Sequence, residues 1–291
     1  MSTTSTGRHA HRRRQQAERQ RGIALVIVLW LLVLLTVIAA SHARIIRTET
    51  RLASNHVETG KARSLAEAGA HHAILELLVQ DQAQRWPVNG RVNHIRFEDG
   101  EVAIAIRDTR GLIDINKAQP QLLEKVLTAL GMEQEQRQAL VDAIIDWRDK
   151  DNLRSLKGAE DDDYQRAGLR WAARDGAFSS VEELRYVLGM SNTLFERLAP
   201  YLTVHSSQAD IKLDVAPAWL VTVLSDTADT LPSSVTSQLG GLTCQITVWA
   251  TSYGGSNASL DMVVRMTPQS PKPYTILSWR APARSIDRSA G

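Results

Sequence analysis

At 291 residues and 43% hydrophobic content, the chain is long enough for two domains of ordinary size, each with its own core. Its formal net charge of +2 hides a split: residues 1–22 hold six arginines against Glu18, so the rest is mildly acidic. An acidic body argues against a phosphate footprint, and a single cysteine, Cys244, excludes an internal disulfide and any cysteine-built zinc or iron–sulfur site.

From Ile23 to Ala40 no residue is charged and only Thr36 is polar. As a helix this run spans about 27 Å, close to the hydrocarbon thickness of a bilayer. Three readings fit it. A cleaved secretory signal fits the basic start and the Ser41-His42-Ala43 site, although the apolar run is longer than such signals carry. A signal-anchor keeps the arginines inside and exports the body. A prepilin-like leader ends in Gly directly before the helix, as Gln20-Arg21-Gly22 does before Ile23-Ala24-Leu25-Val26.

The sequence beyond supports the third reading. Residues 41–80 contain no proline, and Leu52, Leu65, Ala66, Ala70, Ile74 and Leu77 recur at mostly three- and four-residue steps. A continuous helix from Ile23 to Gln80 would run about 87 Å, half in lipid and half as an amphipathic spine. Trp86-Pro87-Val88-Asn89-Gly90 ends it. A hairpin follows, Arg91–Phe97 and Glu101–Asp108, whose second strand alternates Val102, Ile104 and Ile106 with polar or small residues.

From Thr109 to about His205 the pattern is helical. Asn116 is the expected N-cap of a helix with Pro120 in its first turn, and Gly131 is its stop. A second helix runs from Glu133 to about Arg148. Ser180-Val181-Glu182-Glu183 reads as a capping box opening a third, and Ser191 caps a fourth. Past Ala209 alternation returns in Ile246, Val248 and Ala250, then in Leu260, Met262 and Val264, with a last strand at Ile276–Trp279. Residues 282–291 read as a frayed tail. The fold class is therefore α+β, with a helical block entering a strand-rich domain after one hairpin and leaving before the other strands.

The helical block carries Asp146, Asp149, Asp151, Glu160, Asp161, Asp162 and Asp163 in and after its second helix. Clustered carboxylates need solvent or a cation, and hard oxygen ligands without Cys or His suit Ca²⁺ rather than zinc. The spacing is not an EF-hand. Taken alone, it leaves a solvated acidic loop and a cation site both open.

Several stretches together resemble one family: Arg21–Leu25, Ile113–Asn116, Asp146–Asp151, Gly158–Asp161, Ser180–Leu184, Leu188–Met190, Leu198–Val204 and Leu277–Arg280. In this order they resemble the minor pseudopilin K family of bacterial type II secretion systems. The resemblance implies a pilin-like fold: a long N-terminal transmembrane and spine helix packed on an antiparallel sheet, with a large all-α domain inserted in that sheet. It implies a leader at 1–22, a spine at 23–80, pilin-like β portions at 81–108 and 209–291, and an inserted helical domain at 109–208. Prepilin peptidase would cut between Gly22 and Ile23, and the new amine would be methylated. The chain would be anchored in the inner membrane by one span, with its N-terminus cytoplasmic and its bulk periplasmic. It would sit at the pseudopilus tip with minor pseudopilins I and J. Calcium would be structural, bound through Asp149, Asp151, Glu160 and Asp161, with Asp162 and Asp163 as further candidates.

Mature position five of pilin-type subunits is usually Glu; here it is Ile27. A subunit without this partner for a neighbour's ammonium is one that need not dock beneath another, as expected at a tip.

Two rival functions are less well supported. An enzyme lacks support: no Gly-x-Ser-x-Gly elbow, His-Glu-x-x-His helix or P-loop occurs. A membrane-anchored helix-hairpin-helix protein for DNA binding or uptake draws on Leu130-Gly131-Met132 and Leu188-Gly189-Met190. However, Glu182, Glu183 and Glu196 outnumber Arg185 and Arg197 around the second turn, so no nucleic-acid partner is expected.

Overall fold

The computed structural model describes residues 8–79, 81, 83–225, 241–267 and 270–281. The tail expected at 282–291 and the first seven residues of the leader lie outside them. The chain divides into two units, Met1–Gly60 and Lys61–Gly291.

The first helix, α1, is Arg8–Leu78 and contributes to both units. In the first unit Gly22 and Ile23, the expected processing pair, belong to its helical backbone, with side chains outside the described set. The described apolar side chains there begin at Leu25, and Leu25 to Ala39, including Ile27, are all exposed. Among the described residues no helix is long and apolar enough to cross a membrane.

In the second unit the end of α1 covers a five-stranded antiparallel sheet. Its strands are β1 (Asn89–Phe97), β2 (Gly100–Asp108), β5 (Thr243–Ser252), β6 (Asn257–Met266) and β7 (Tyr274–Arg280), in the order β1-β2-β5-β6-β7. Alternation decides which face is buried: Val102, Ile104, Ile106, Ile246, Val248, Met262 and Val264 form one core with Leu65, Ala66, Ala70, Ile74 and Leu77 of α1. Ala62 and Ala73 are also fully buried on that helix face. At Gly69 the helix comes so close that a Cβ would lie 2.6 Å from Val102 Cγ1 and 2.9 Å from Val248 Cγ1. Small residues at these steps let helix and sheet approach.

The neighbours β2 and β5 are joined in register from Gly100↔Ser252 to Asp108↔Cys244, yet a second hydrophobic core stands between them in sequence. It is built on α2 (Pro120–Ala129), α3 (Gln134–Arg148), α4 (Asp161–Arg166), α5 (Asn192–Leu198) and α6 (Ala218–Ser225). Leu123, Leu127, Leu140, Ile144, Trp147, Leu184, Phe195 and Leu220 are among its buried side chains. Two short strands, β3 (Ile113–Asp114) and β4 (Leu202–Thr203), pair in parallel and bring its early and late segments together. The architecture is thus mixed α+β: helix on sheet, plus a helical region.

Some local expectations change. Pro120 does open α2, but the cap is Gln119. Asn116 instead brackets Phe178, accepting from its N–H at 2.7 Å and donating to its carbonyl at 3.0 Å. Ser180 opens only a 3₁₀ turn (Val181–Tyr186) and makes no side-chain cap; Glu183 accepts from Ser179 N–H at 2.8 Å, one residue earlier than the box requires. Ser191 caps α5 as expected, accepting from Leu194 N–H at 3.1 Å. Leu213–Val215 form a 3₁₀ turn and Ala218–Ser225 the helix α6, whose Leu220 is fully buried in the helical core.

Candidate metal centre

The site is assembled where α3 ends and α4 begins. Asp146, in the last turn of α3, is fully buried and accepts from Ser155 N–H at 3.2 Å. Gly158 passes so near that a Cβ there would lie 1.9 Å from Asp146 Oδ2. Asp149 caps the helix C-terminus, its N–H donating to Ile145 O at 3.0 Å. The following loop returns to Glu160, which precedes α4, so Glu160 and Asp161 stand side by side at a helix N-terminus. A third segment completes the site. Trp147 stacks on Phe178 with 6.1 Å between ring centroids, and Gly176 N–H donates to Trp147 O at 3.3 Å. This tether carries Asp175, held in the left-handed region at φ +53, to the cluster.

Glu160, Asp161 and Asp175 each place a carboxylate oxygen within 4.8 Å of the other two, a grouping that could hold a metal ion. Glu160 is only 7% exposed. Both of its oxygens, with Asp149 Oδ1, Asp161 Oδ1 and Asp175 Oδ1, are buried and have no hydrogen-bond partner among the described residues. Burial, followed by the charges of Asp146, Asp175, Asp149 and Asp161, pushes the Glu160 carboxyl up to about 7. Burial and the nearby Asp151 and Asp146 also raise Asp149, and burial raises Asp146. Unpaired carboxylates crowded away from water repel one another, and a divalent cation removes both the repulsion and the unmet coordination.

The sequence-derived candidates separate. Glu160 and Asp161 lie in the cluster, and Asp149 supplies an unpartnered oxygen and charge beside it. Asp151 accepts from Leu153 N–H at 3.0 Å, and Asp162 is exposed. Asp163 is engaged elsewhere: Oδ2 accepts from Glu160 N–H at 3.1 Å, while Oδ1 meets Arg166 at 2.8 Å and Arg154 at 3.2 Å. Burial raises its pKa, but the Glu160 N–H and the two arginines outweigh that and hold it below the ordinary carboxylate value. Asp175 was missed because it stands alone in Arg174-Asp175-Gly176. Its signal was the Asp-Gly pair, a turn that tolerates positive φ.

A helix over a five-stranded antiparallel sheet, with a second helical core inserted in sequence between adjacent strands, is the mixed α+β architecture that carries the carboxylate site. Comparison with known proteins agrees. The model of type II secretion system (T2SS) protein K matches residues 98–207, a stretch that includes Glu160, Asp161 and Asp175, and that of the PilX N-terminal region matches residues 21–70. Type II secretion system protein K of Pectobacterium carotovorum is 30% identical over 211 residues, 62% of each chain. The protein of that name from Klebsiella pneumoniae is also 30% identical, over 62% of each chain. That of Pseudomonas aeruginosa is 28% identical over 67% of this chain and 65% of its own. The matches span about three fifths of the length of these curated relatives. The fold is shared with the crystal structure of the GspK-GspI-GspJ complex of the enterotoxigenic Escherichia coli type 2 secretion system. There the TM-score is 0.59 at 15% identity, covering 82% of this chain and 99% of that one. Over residues 98–207, and over about three fifths of its length, the chain is similar to type II secretion system protein K.

Proposed function

We propose that the chain is a minor pseudopilin at the tip of a type II secretion pseudopilus, taking part in protein export from the periplasm across the outer membrane. The observation that carries this reading is the helical core inserted between β2 and β5, in the stretch that matches the protein K family. In this reading residues 1–22 are a cytoplasmic leader removed by prepilin peptidase between Gly22 and Ile23, and Ile23 becomes the methylated N-terminus. Residues 23–80 are the inner-membrane span and spine, 81–108 and 209–291 the pilin-like β portions in the periplasm, and 109–208 the inserted domain. The solved relative is a complex with GspI and GspJ, and the corresponding pseudopilins I and J are the partners proposed here. Ile27 supports the leading position, since no carboxylate at mature position five awaits a neighbour's ammonium.

The bound ion in this reading is Ca²⁺, structural in role. Support comes from an all-oxygen donor set with buried, unpartnered atoms and no His or Cys in the group. Asp149, Glu160, Asp161 and Asp175 are the ligands proposed; Asp151 and Asp163 keep the loop and α4 in place.

Mass spectrometry of the native membrane protein tests the main reading. A mature chain beginning at methylated Ile23, with secretion lost on deletion of the gene, is the expected result; a chain beginning at Arg44 would make it an ordinary exported protein. Replacing Ile27 with Glu is expected to displace the chain from the tip. Calcium is expected to raise the melting temperature of residues 44–291, and Glu160→Gln to remove most of that rise.

A further inference from the structure

The loop between α3 and α4 presents apolar side chains outward from a backbone tied down at alternate residues. Leu153, Ser155 and Lys157 donate their N–H groups to Asp151, Asp146 and Asp142, at 3.0, 3.2 and 3.0 Å. Gly158 N–H closes a turn onto Ser155 O at 3.1 Å. A backbone held at these points cannot easily fold its leucines back onto the body. Leu153 is 77% exposed and Leu156 is 91% exposed. Isolated exposed leucines need no explanation, but two of them three residues apart on a pinned loop form a preorganised anchor.

Charge and shape describe what fits it. Lys150, Arg154 and Lys157 flank the two leucines and are exposed. Arg154 reaches back to Asp163 at 3.2 Å and Lys157 Nζ to Gln138 at 3.0 Å, so both cations are held in place on the loop. Beyond Lys157 lies a cavity of about 410 Å³ lined by Met132, Leu140, Leu188 and Leu194. The surface thus offers two exposed leucines, three exposed cations close to them in sequence, and an adjoining apolar recess.

We propose that this loop and recess dock a polypeptide partner, one that offers an apolar pocket rimmed by carboxylates to Leu153 and Leu156 and an apolar side chain to the recess. An anionic bilayer fits less well. Its continuous plane of charge would also meet the exposed Asp151 and Asp162, whereas a polypeptide places carboxylates only opposite the cations. The proposal rests on the secretion reading only for the identity of the process it serves.

The test uses the full chain in a strain lacking its own copy. The Leu153→Ser/Leu156→Ser pair is expected to keep the wild-type melting temperature within about 2 °C, because both side chains are solvent-exposed, and to lower secretion at least tenfold. A photo-crosslinking amino acid at position 156 is expected to give one discrete adduct. Its partner peptide should be rich in Asp and Glu, and reversing Lys150, Arg154 and Lys157 to Glu should abolish it. Wild-type secretion by the leucine pair, an adduct with lipid, an adduct with a second copy alone, or an adduct indifferent to charge reversal would each overturn the proposal. If deleting the gene left secretion intact, the secretion reading would fail instead, and the crosslink would still decide the docking surface.

Discussion

Glu160 concentrates the chemistry of the cluster in one side chain. Its folded pKa of about 7 stands above the ordinary 4.5, so the metal-free folded chain holds a proton that the unfolded chain releases. Stability without metal should therefore fall as pH rises from about 4.5 to about 7, and level off above. Calorimetry in chelator across that range checks this, and Glu160→Gln should flatten the curve. Cation binding has the opposite dependence, weakening below pH 7 as protons compete for the same oxygens. Gly158 tests the packing behind the cluster: Gly158→Ala sets a methyl 1.9 Å from a pinned, fully buried carboxylate, and should cost about 1–3 kcal/mol in urea denaturation. The acidic run was legible in the sequence because its members lie close together. Asp175 was not, because an aromatic stack and one backbone hydrogen bond bring it from another segment.

Among the elements, the last turns of α1 show where periodicity succeeds and where it is blind. Leu65, Ala66, Ala70, Ile74 and Leu77 follow the helical repeat, and all are buried. Gly69 carries no hydrophobic signal, yet it sets the distance between helix and sheet. Gly69→Leu gains about 1 kcal/mol of helix propensity. It also drives a branched side chain into Val102 and Val248, where overpacking of about 1–3 kcal/mol or more dominates. A lowered urea midpoint for residues 44–291 is the expected outcome. The loop from Asp149 to Glu160 has one end beside the cluster and the other in it, so calcium should slow amide exchange across residues 150–159 while leaving β5 and β6 unchanged.

For the second unit as a whole, the decisive contacts are those at the exit from the sheet. Asp108, at the end of β2, is fully buried and held by Arg110 through its backbone N–H at 2.9 Å and its guanidinium at 2.6 Å. Thr109 Oγ1 donates to Thr243 O at 3.0 Å, and Lys212 N–H to Arg110 O at 2.8 Å. Arg110→Met strands a buried carboxylate and should cost about 3–5 kcal/mol. Arg96→Ala, which breaks the exposed pair with Glu101, should cost under about 1 kcal/mol, and parallel chemical denaturation separates the two. The alternating strands and the interruption between them were readable from residue pattern alone. The pairing of β2 with β5 was not, since nothing local in either strand names its neighbour.

That pairing also sets an order of events in folding. The chain leaves the sheet at Asp108 and re-enters at Thr243, so uniting β2 with β5 in an otherwise unfolded chain means closing a loop of more than a hundred residues, at roughly 4 kcal/mol of entropy. The helices in between make local contacts and form sooner, and β3 with β4 then draws residues 113 and 202 together. Much of the long loop is thereby taken up before the sheet closes. The sheet forms last, on ends already gathered by a fold to which it contributes no strand.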